Sequence, residues 1–425
     1  MLATIVLCFF VLLIIGMPIA VLMVVTTTVA LLAHTSTSLL VLPQQLFNAL
    51  DNSLLLSIPF FIMAGSVMTE GAMARRLIAV INALVGWYPG GLAIAATLAC
   101  LFFAALSGSS PATVVAIGSV MIPALIKAGY DERFSIGLVT SAGSLGIVIP
   151  PSIPMILYCM VMNASVAELF MAGILPGFLI GGVFIFYTIF LAQRNQWGAT
   201  EKLSGREILR TLREGIWGMI LPLIVLGGIY SGMFTPTEAA GVSVVYALIV
   251  EIVIYRELRI GSIPDVCRRS AILSGCLLFI LACAMTLIWV LTAQRLPHQV
   301  ADSITAHVTN GWVFLILVNI LFLLLGTVMD NVTAMLILSP LFAETLNRFG
   351  IDYIHYGIIM VMVIEFGFLT PPFGLNLFVA MGLTDKSLME VSKGVFPFLF
   401  LLLLCLMLVT FIPSISLFLP RTFLR

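Results

Sequence analysis

The residues 107–113, Ser107-Gly108-Ser109-Ser110-Pro111-Ala112-Thr113, break an apolar run with a glycine and a cluster of hydroxyls. Hydroxyl and free carbonyl oxygens are hard ligands suited to a small monovalent cation such as sodium. Ser110 and Pro111 read as the N-cap and first residue of a helix that turns back from this tip. At membrane depth such irregular backbone survives only where it is buried in protein or lines an aqueous cavity. A Ser/Gly helix-packing face is the plainer reading, and it is preferred for this motif standing alone.

A second interruption follows at 143–152, Gly143-Ser144-Leu145-Gly146-Ile147-Val148-Ile149-Pro150-Pro151-Ser152. Adjacent prolines remove amide donors, leaving free carbonyls before them and a new helix amino end after them. The carbonyls attract a cation, and the amino end attracts a carboxylate. A third polar cluster, Gly326-Thr327-Val328-Met329-Asp330-Asn331-Val332-Thr333, places an acid inside an apolar hairpin. An acid there costs about 2.5–3.5 kcal/mol on insertion scales, so a cation-binding role is read ahead of simple helix capping. Glu365, six residues before the break at Pro371-Pro372, is a second intramembrane acid and reads as structural or as part of that break. Thr235-Pro236-Thr237-Glu238 looks like an acidic site but also matches a capping box, and the cap is preferred.

These motifs recur. Gly129/Gly350, Asp131/Asp352, Gly146/Gly367, Pro150/Pro371, Pro151/Pro372, Gly173/Gly394 and Pro176/Pro397 are identical pairs at a constant offset of 221. Asp330 and Asn331 fall on Ser109 and Ser110, and the second break continues through Gly374 to Asn376. Duplicated breaks near the bilayer midplane point to a secondary transporter.

The elements around these motifs are membrane helices. With 61% hydrophobic and 9% charged residues and a mean hydropathy of +1.20, the chain lies far from soluble composition. Its long apolar runs, at 2–15, 221–229, 313–325 and 396–412, indicate helices rather than a barrel. Without a basic n-region, the first run reads as a retained helix, not a signal peptide. Zero net charge and the lack of a basic tract argue against nucleic acid. The seven cysteines show no CxxC spacing and the four histidines no helical pairing, so no metal or redox site is read.

Placing the polar loop 193–215 (Arg194, Lys202, Arg206, Arg210, Arg213) in the cytoplasm, and treating 91–126 and 312–347 as re-entrant hairpins, sorts the nineteen Lys/Arg. All but Arg295, Arg348, Arg421 and Arg425 fall inside. The expected architecture is an all-α polytopic protein of two inverted-topology repeats. Residues 1–192 form the first repeat, with a broken helix at 133–163. Residues 193–215 form a cytoplasmic linker, and 216–425 the second repeat, with a broken helix at 353–383. Trp197 and Trp312 read as interfacial belt residues.

Over essentially the whole chain the sequence resembles the large membrane subunit of tripartite ATP-independent periplasmic (TRAP) transporters. The motifs that carry the resemblance are 232–240 (Gly232-Met233-Phe234-Thr235-Pro236-Thr237-Glu238-Ala239-Ala240), the Gly326–Asp330 run, the Pro150-Pro151-Ser152 break and the Thr370-to-Leu377 break. The resemblance implies an elevator-type, sodium-coupled importer of a small organic acid in a bacterial inner membrane. Its partners would be a small four-helix membrane subunit and a periplasmic substrate-binding protein, both separate chains. No cofactor beyond coupling sodium ions is implied. Glu365 departs from the commonest family pattern. Carried onto this sequence, one sodium site comprises Ser107, Ser109, Thr113, Gly143, Gly146 and Pro150. The other comprises Gly326, Asp330, Thr333, Gly367 and Thr370. Between them Ser109, Ser110, Ser152, Asn331 and Asn376 would hold the substrate carboxylate. The competing readings are a stand-alone dicarboxylate/sodium symporter, a channel or a structural scaffold. An enzyme is not expected, since no Ser-His-Asp or His-Glu-x-x-His arrangement appears.

Overall fold

The computed structural model describes residues 1–197, 204–327, 329–372 and 374–424, so the linker residue Lys202 and the motif residues Val328 and Phe373 lie outside the described residues. The described residues form helices joined by turns and short loops, with no strand among them. The chain begins with α1 (Leu2–Ile14), α2 (Ile19–His34), α3 (Val41–Leu50), α4 (Ser57–Glu70) and α5 (Met73–Val85). Next come α6 (Gly91–Ser107), α7 (Ser110–Lys127), α8 (Glu132–Gly143), α9 (Ile153–Met162) and α10 (Val166–Asn195). After the linker follow α11 (Gly205–Tyr230), α12 (Pro236–Ile249), α13 (Ile263–Ala293), α14 (Leu296–His307) and α15 (Gly311–Leu325). The last five are α16 (Asn331–Phe349), α17 (Tyr353–Leu369), α18 (Leu375–Thr384), α19 (Leu388–Phe411) and α20 (Ser414–Phe423).

Seven helical segments among the described residues are long and apolar enough to span a bilayer, or eight if α14 and α15, bent by 116°, count as one. The interior is formed by helices that are buried on every side. Every residue of α17 from Ile354 to Leu369 is buried, as is every residue of α8 from Phe134 to Gly143. Leu7, Phe186, Leu223 and Phe279 on α1, α10, α11 and α13 instead present exposed apolar side chains, as a lipid-facing surface requires.

Local chemistry sets the boundaries. Thr235 and Glu238 form the reciprocal capping box that starts α12, with the Thr235 amide donating to Glu238 Oε2 at 2.8 Å. Two expectations need correction. The polar stretch 193–215 is mostly helical: α10 runs to Asn195, and a Ser204/Glu207 capping box starts α11 at Gly205. Arg210 and Glu214, one turn apart on the exposed face of α11, pair at 3.1 Å and add modest support to the helix. Trp197 is half-buried, its ring 4.8 Å from Tyr130 and 4.6 Å from Phe134, so it packs inward. Trp312 is 39% exposed, with its ring 5.9 Å from Phe411.

Two tight contacts hold the interior helices. Gly137 of α8 and Gly394 of α19 pass so closely that a Cβ on Gly137 would meet the Gly394 carbonyl oxygen at 2.0 Å. Glu251, fully buried in the π-helical turn after α12, accepts the Ala72 and Met73 amides at 2.9 and 2.8 Å and thereby caps α5.

Candidate ion and substrate site

The first polar cluster forms a tight turn between α6 and α7. Gly108 takes φ +59°, a left-handed conformation that favours glycine, and a Cβ there would lie 2.7 Å from the Pro151 carbonyl oxygen. The cap of α7 is Ser109 rather than Ser110, one residue earlier than expected, and its side chain makes no capping bond. The Ser109 contribution is its carbonyl, which accepts the Thr113 hydroxyl at 2.9 Å and the Ser107 hydroxyl at 3.2 Å. Ser107 and Thr113 hydroxyls are 3.0 Å apart. Gly146, in the 3-10 turn (144–147) that ends α8, faces this group: a Cβ would stand 2.7 Å from the Ser109 oxygen and 2.8 Å from Thr113 Oγ1. Ser107, Ser109, Thr113 and Gly146 are therefore brought together. Gly143 meets Val114 instead, and Pro150 is buried in the break.

Past the break, Ser152 caps α9 by accepting the Met155 amide at 3.4 Å, while the Ile153 amide reaches the Gly108 carbonyl at 3.4 Å. On the other side of the tip, Asn376 at the start of α18 donates to the Ser110 hydroxyl at 2.6 Å, linking residues 266 positions apart. The amino ends of α7, α9 and α18 thus converge at the first tip. Asn376 Oδ1 is buried and has no partner among the described residues.

The second cluster is built differently. Asp330 caps α16, its Oδ2 accepting both the amide and the hydroxyl of Thr333 at 3.0 Å, so the capping reading holds for this acid. Asn331 donates to the Val363 carbonyl at 3.2 Å, and its amide fills the space at which Gly326 and Gly367 lack side chains. Thr370 turns back on its own helix, donating to Phe366 at 2.6 Å. Gly326, Asp330, Asn331, Thr333 and Gly367 are grouped. Asn331 shares no hydrogen bond with Ser109, Ser110, Ser152 or Asn376.

Glu365 is not part of this second group. Val363 and Gly367, four residues apart, share the α17 face turned to Asn331, so Glu365 midway between them points the opposite way. It approaches Ser144 of the first break, whose hydroxyl is committed to the Ser141 carbonyl at 2.7 Å, and both carboxylate oxygens are buried without a hydrogen bond. Thr140 and Ser141, also buried with unpartnered hydroxyls, escaped the sequence reading. The signal was present in the run of hydroxyls at 140–144 immediately before the break.

The two groups differ in access. Ser107, Ser110, Thr113 and Ser152 are buried, whereas Asp330, Pro371 and Pro372 are exposed. Asp330 opens into a cavity of about 690 Å³ between the second tip and the α1–α2 turn. Outside the spans, Lys386 bonds to Glu132 at 3.0 Å, joining the ends of the two broken helices, and this contact raises the lysine pKa above its ordinary value.

A family model described as "Tripartite ATP-independent periplasmic transporter, DctM component" matches residues 6–415. The chain is similar to the C4-dicarboxylate TRAP transporter large permease protein DctM of Pseudomonas aeruginosa, 46% identical over 377 residues, covering 89% of this chain and 88% of the relative. It is also 40% identical over 420 residues to the protein of the same description from Rhodobacter capsulatus, covering 96% of each. Among solved structures, the Alcanivorax borkumensis YdaH transporter shares the fold, with a TM-score of 0.62, 16% identity and coverage of 88% of this chain and 87% of that one. The class is thus a multi-pass membrane permease subunit, not an enzyme. The chain belongs to the TRAP transporter large permease family, whose members work with a small membrane subunit and a substrate-binding protein.

Proposed function

We propose that the chain imports a small organic acid, a C4-dicarboxylate or a close relative, by coupling its movement to sodium entry across a bacterial inner membrane. The substrate is handed over by a periplasmic binding protein, and the small subunit of four helices completes the membrane scaffold. The observation that carries the reading is the oxygen cluster at the first tip. The Ser109 carbonyl and Thr113 hydroxyl oxygens crowd against Gly146, so close that a methyl there would stand 2.7 and 2.8 Å from them, and the Ser107 hydroxyl bonds to both. Next to it, three helix amino ends present the positive dipole ends that favour a carboxylate. The second cation would sit near Asp330 and Thr333. The two hairpins and two broken helices are read as inverted repeats that move together against the remaining helices. Ion pairs support this trace, since Arg75–Glu257 at 3.2 Å and Lys386–Glu132 at 3.0 Å each join segments it puts inside. The relatives' names support the substrate class.

Thermal unfolding in sodium chloride against potassium chloride tests the coupling ion without needing substrate, because a ligand of the folded state stabilises by RT ln(1 + [L]/Kd). Sodium-specific stabilisation that shrinks in Thr113→Val and in Asp330→Asn is expected. Equal stability in the two salts refutes sodium coupling.

A further inference from the structure

The cavity beside the second tip has a chemical character that sodium transport does not require. At about 690 Å³ it is far larger than a bare ion needs and lies in the usual range for organic ligands. The charged group at its polar end is the Asp330 carboxylate. Asp330 opens into it, while the Asn331 amide that also lines it is turned inward, Nδ2 held by the Val363 carbonyl and Oδ1 sealed from the cavity. Among the described residues, no Lys, Arg or His lines it. The remaining walls are apolar and come from both sides, Phe10, Leu13 and Met17 from α1 and the turn after it, Phe368 and Leu375 from the second break.

We propose that this cavity binds an amphipathic organic cation, a primary ammonium ion carrying a compact apolar body. The ammonium, a donor of three hydrogen bonds, would meet the exposed Asp330 carboxylate. The body would fill the apolar volume, with aromatic faces at Phe10 and Phe368 adding to the attraction for a cation. An anion has no donor here. A neutral apolar molecule offers no charge to the Asp330 carboxylate and displaces its hydration without replacing it. An occupant touching both α1 and the second tip ties together parts that the transport cycle would move apart, so it acts as an inhibitor. That consequence rests on the proposed function, whereas the binding itself does not.

The test is thermal unfolding of the purified full-length protein in potassium chloride, titrated with cyclohexylammonium or with cyclohexanol. Cyclohexylammonium is expected to stabilise the wild type saturably, and cyclohexanol is not. Asp330→Asn, which keeps side-chain shape, is expected to raise the half-saturating concentration at least tenfold, and Phe10→Ala to raise it severalfold. No stabilisation by the ammonium, an equal effect of the alcohol, or an unchanged midpoint in Asp330→Asn overturns the proposal. Because this titration contains no sodium, it fails only if the cavity does not take the ammonium ion. A separate arm with added sodium, expected to raise the midpoint in the wild type, fails only if the second site is not sodium's.

Discussion

Gly146→Ala isolates the first cation site more cleanly than removal of any ligand. The new methyl would stand 2.7 Å from the Ser109 carbonyl oxygen and 2.8 Å from Thr113 Oγ1, inside the 3.0 Å limit that real Cβ contacts respect. Both oxygens must retreat by a few tenths of an ångström, and the methyl occupies the volume on which they converge. Overpacking of a dense interior costs about 1–3 kcal/mol, and that loss is the same in sodium and potassium. The binding loss is not the same. A site occupied at a hundredfold excess over its Kd contributes about 2.7 kcal/mol, which disappears only from the sodium measurement. Unfolding of wild type, Gly146→Ala and Gly275→Ala in both salts therefore separates the effects, since a methyl on Gly275 would have nothing within 4 Å and that variant serves as the open-glycine control. The expected result is a lower baseline for Gly146→Ala in both salts and a sodium increment cut by one site's share. A full sodium increment in Gly146→Ala would refute the placement of a cation between the first tip and the first break.

Asn376→Ala removes the donor to Ser110 and is expected to cost about 1–3 kcal/mol, with transport falling further than stability; equal uptake per folded molecule would show that this link is structural only. Glu251→Ala strips two buried amides, Ala72 and Met73, of their acceptor and is expected to cost about 1–3 kcal/mol per amide in chemical denaturation, while Glu251→Gln, which keeps an acceptor oxygen, loses less. Gly137→Ala sets a methyl 2.0 Å from a backbone oxygen that no rotamer change can move, so α8 and α19 must separate. A fall in folded yield exceeding that of Gly146→Ala is expected, read by size-exclusion chromatography.

Much of this arrangement is legible in the sequence itself. Apolar run length gives the helices, the polar interruptions at 107–113 and 326–333 mark both tips, and the paired Gly and Pro positions locate both breaks because those residues act through the backbone, locally. What stays hidden depends on which way a side chain faces. Helix α17 is buried all round, so periodicity assigns no face to Glu365, which the sequence leaves as structural or as part of the second break. The Ser110–Asn376 and Glu251–α5 contacts join residues more than 170 positions apart through packing that no local pattern encodes. The charged stretch near Arg210 misled in the opposite sense. Polarity there signalled exposure, which does not exclude a helix, and the Ser204/Glu207 capping box marks where α11 starts.

The central claim is tested most directly by uptake of labelled succinate into proteoliposomes carrying this chain and its small membrane subunit, with the binding protein outside. The account predicts accumulation that requires both the binding protein and an inward sodium gradient. Equal accumulation with a potassium gradient would contradict sodium coupling, and accumulation without the binding protein would identify a stand-alone carrier instead.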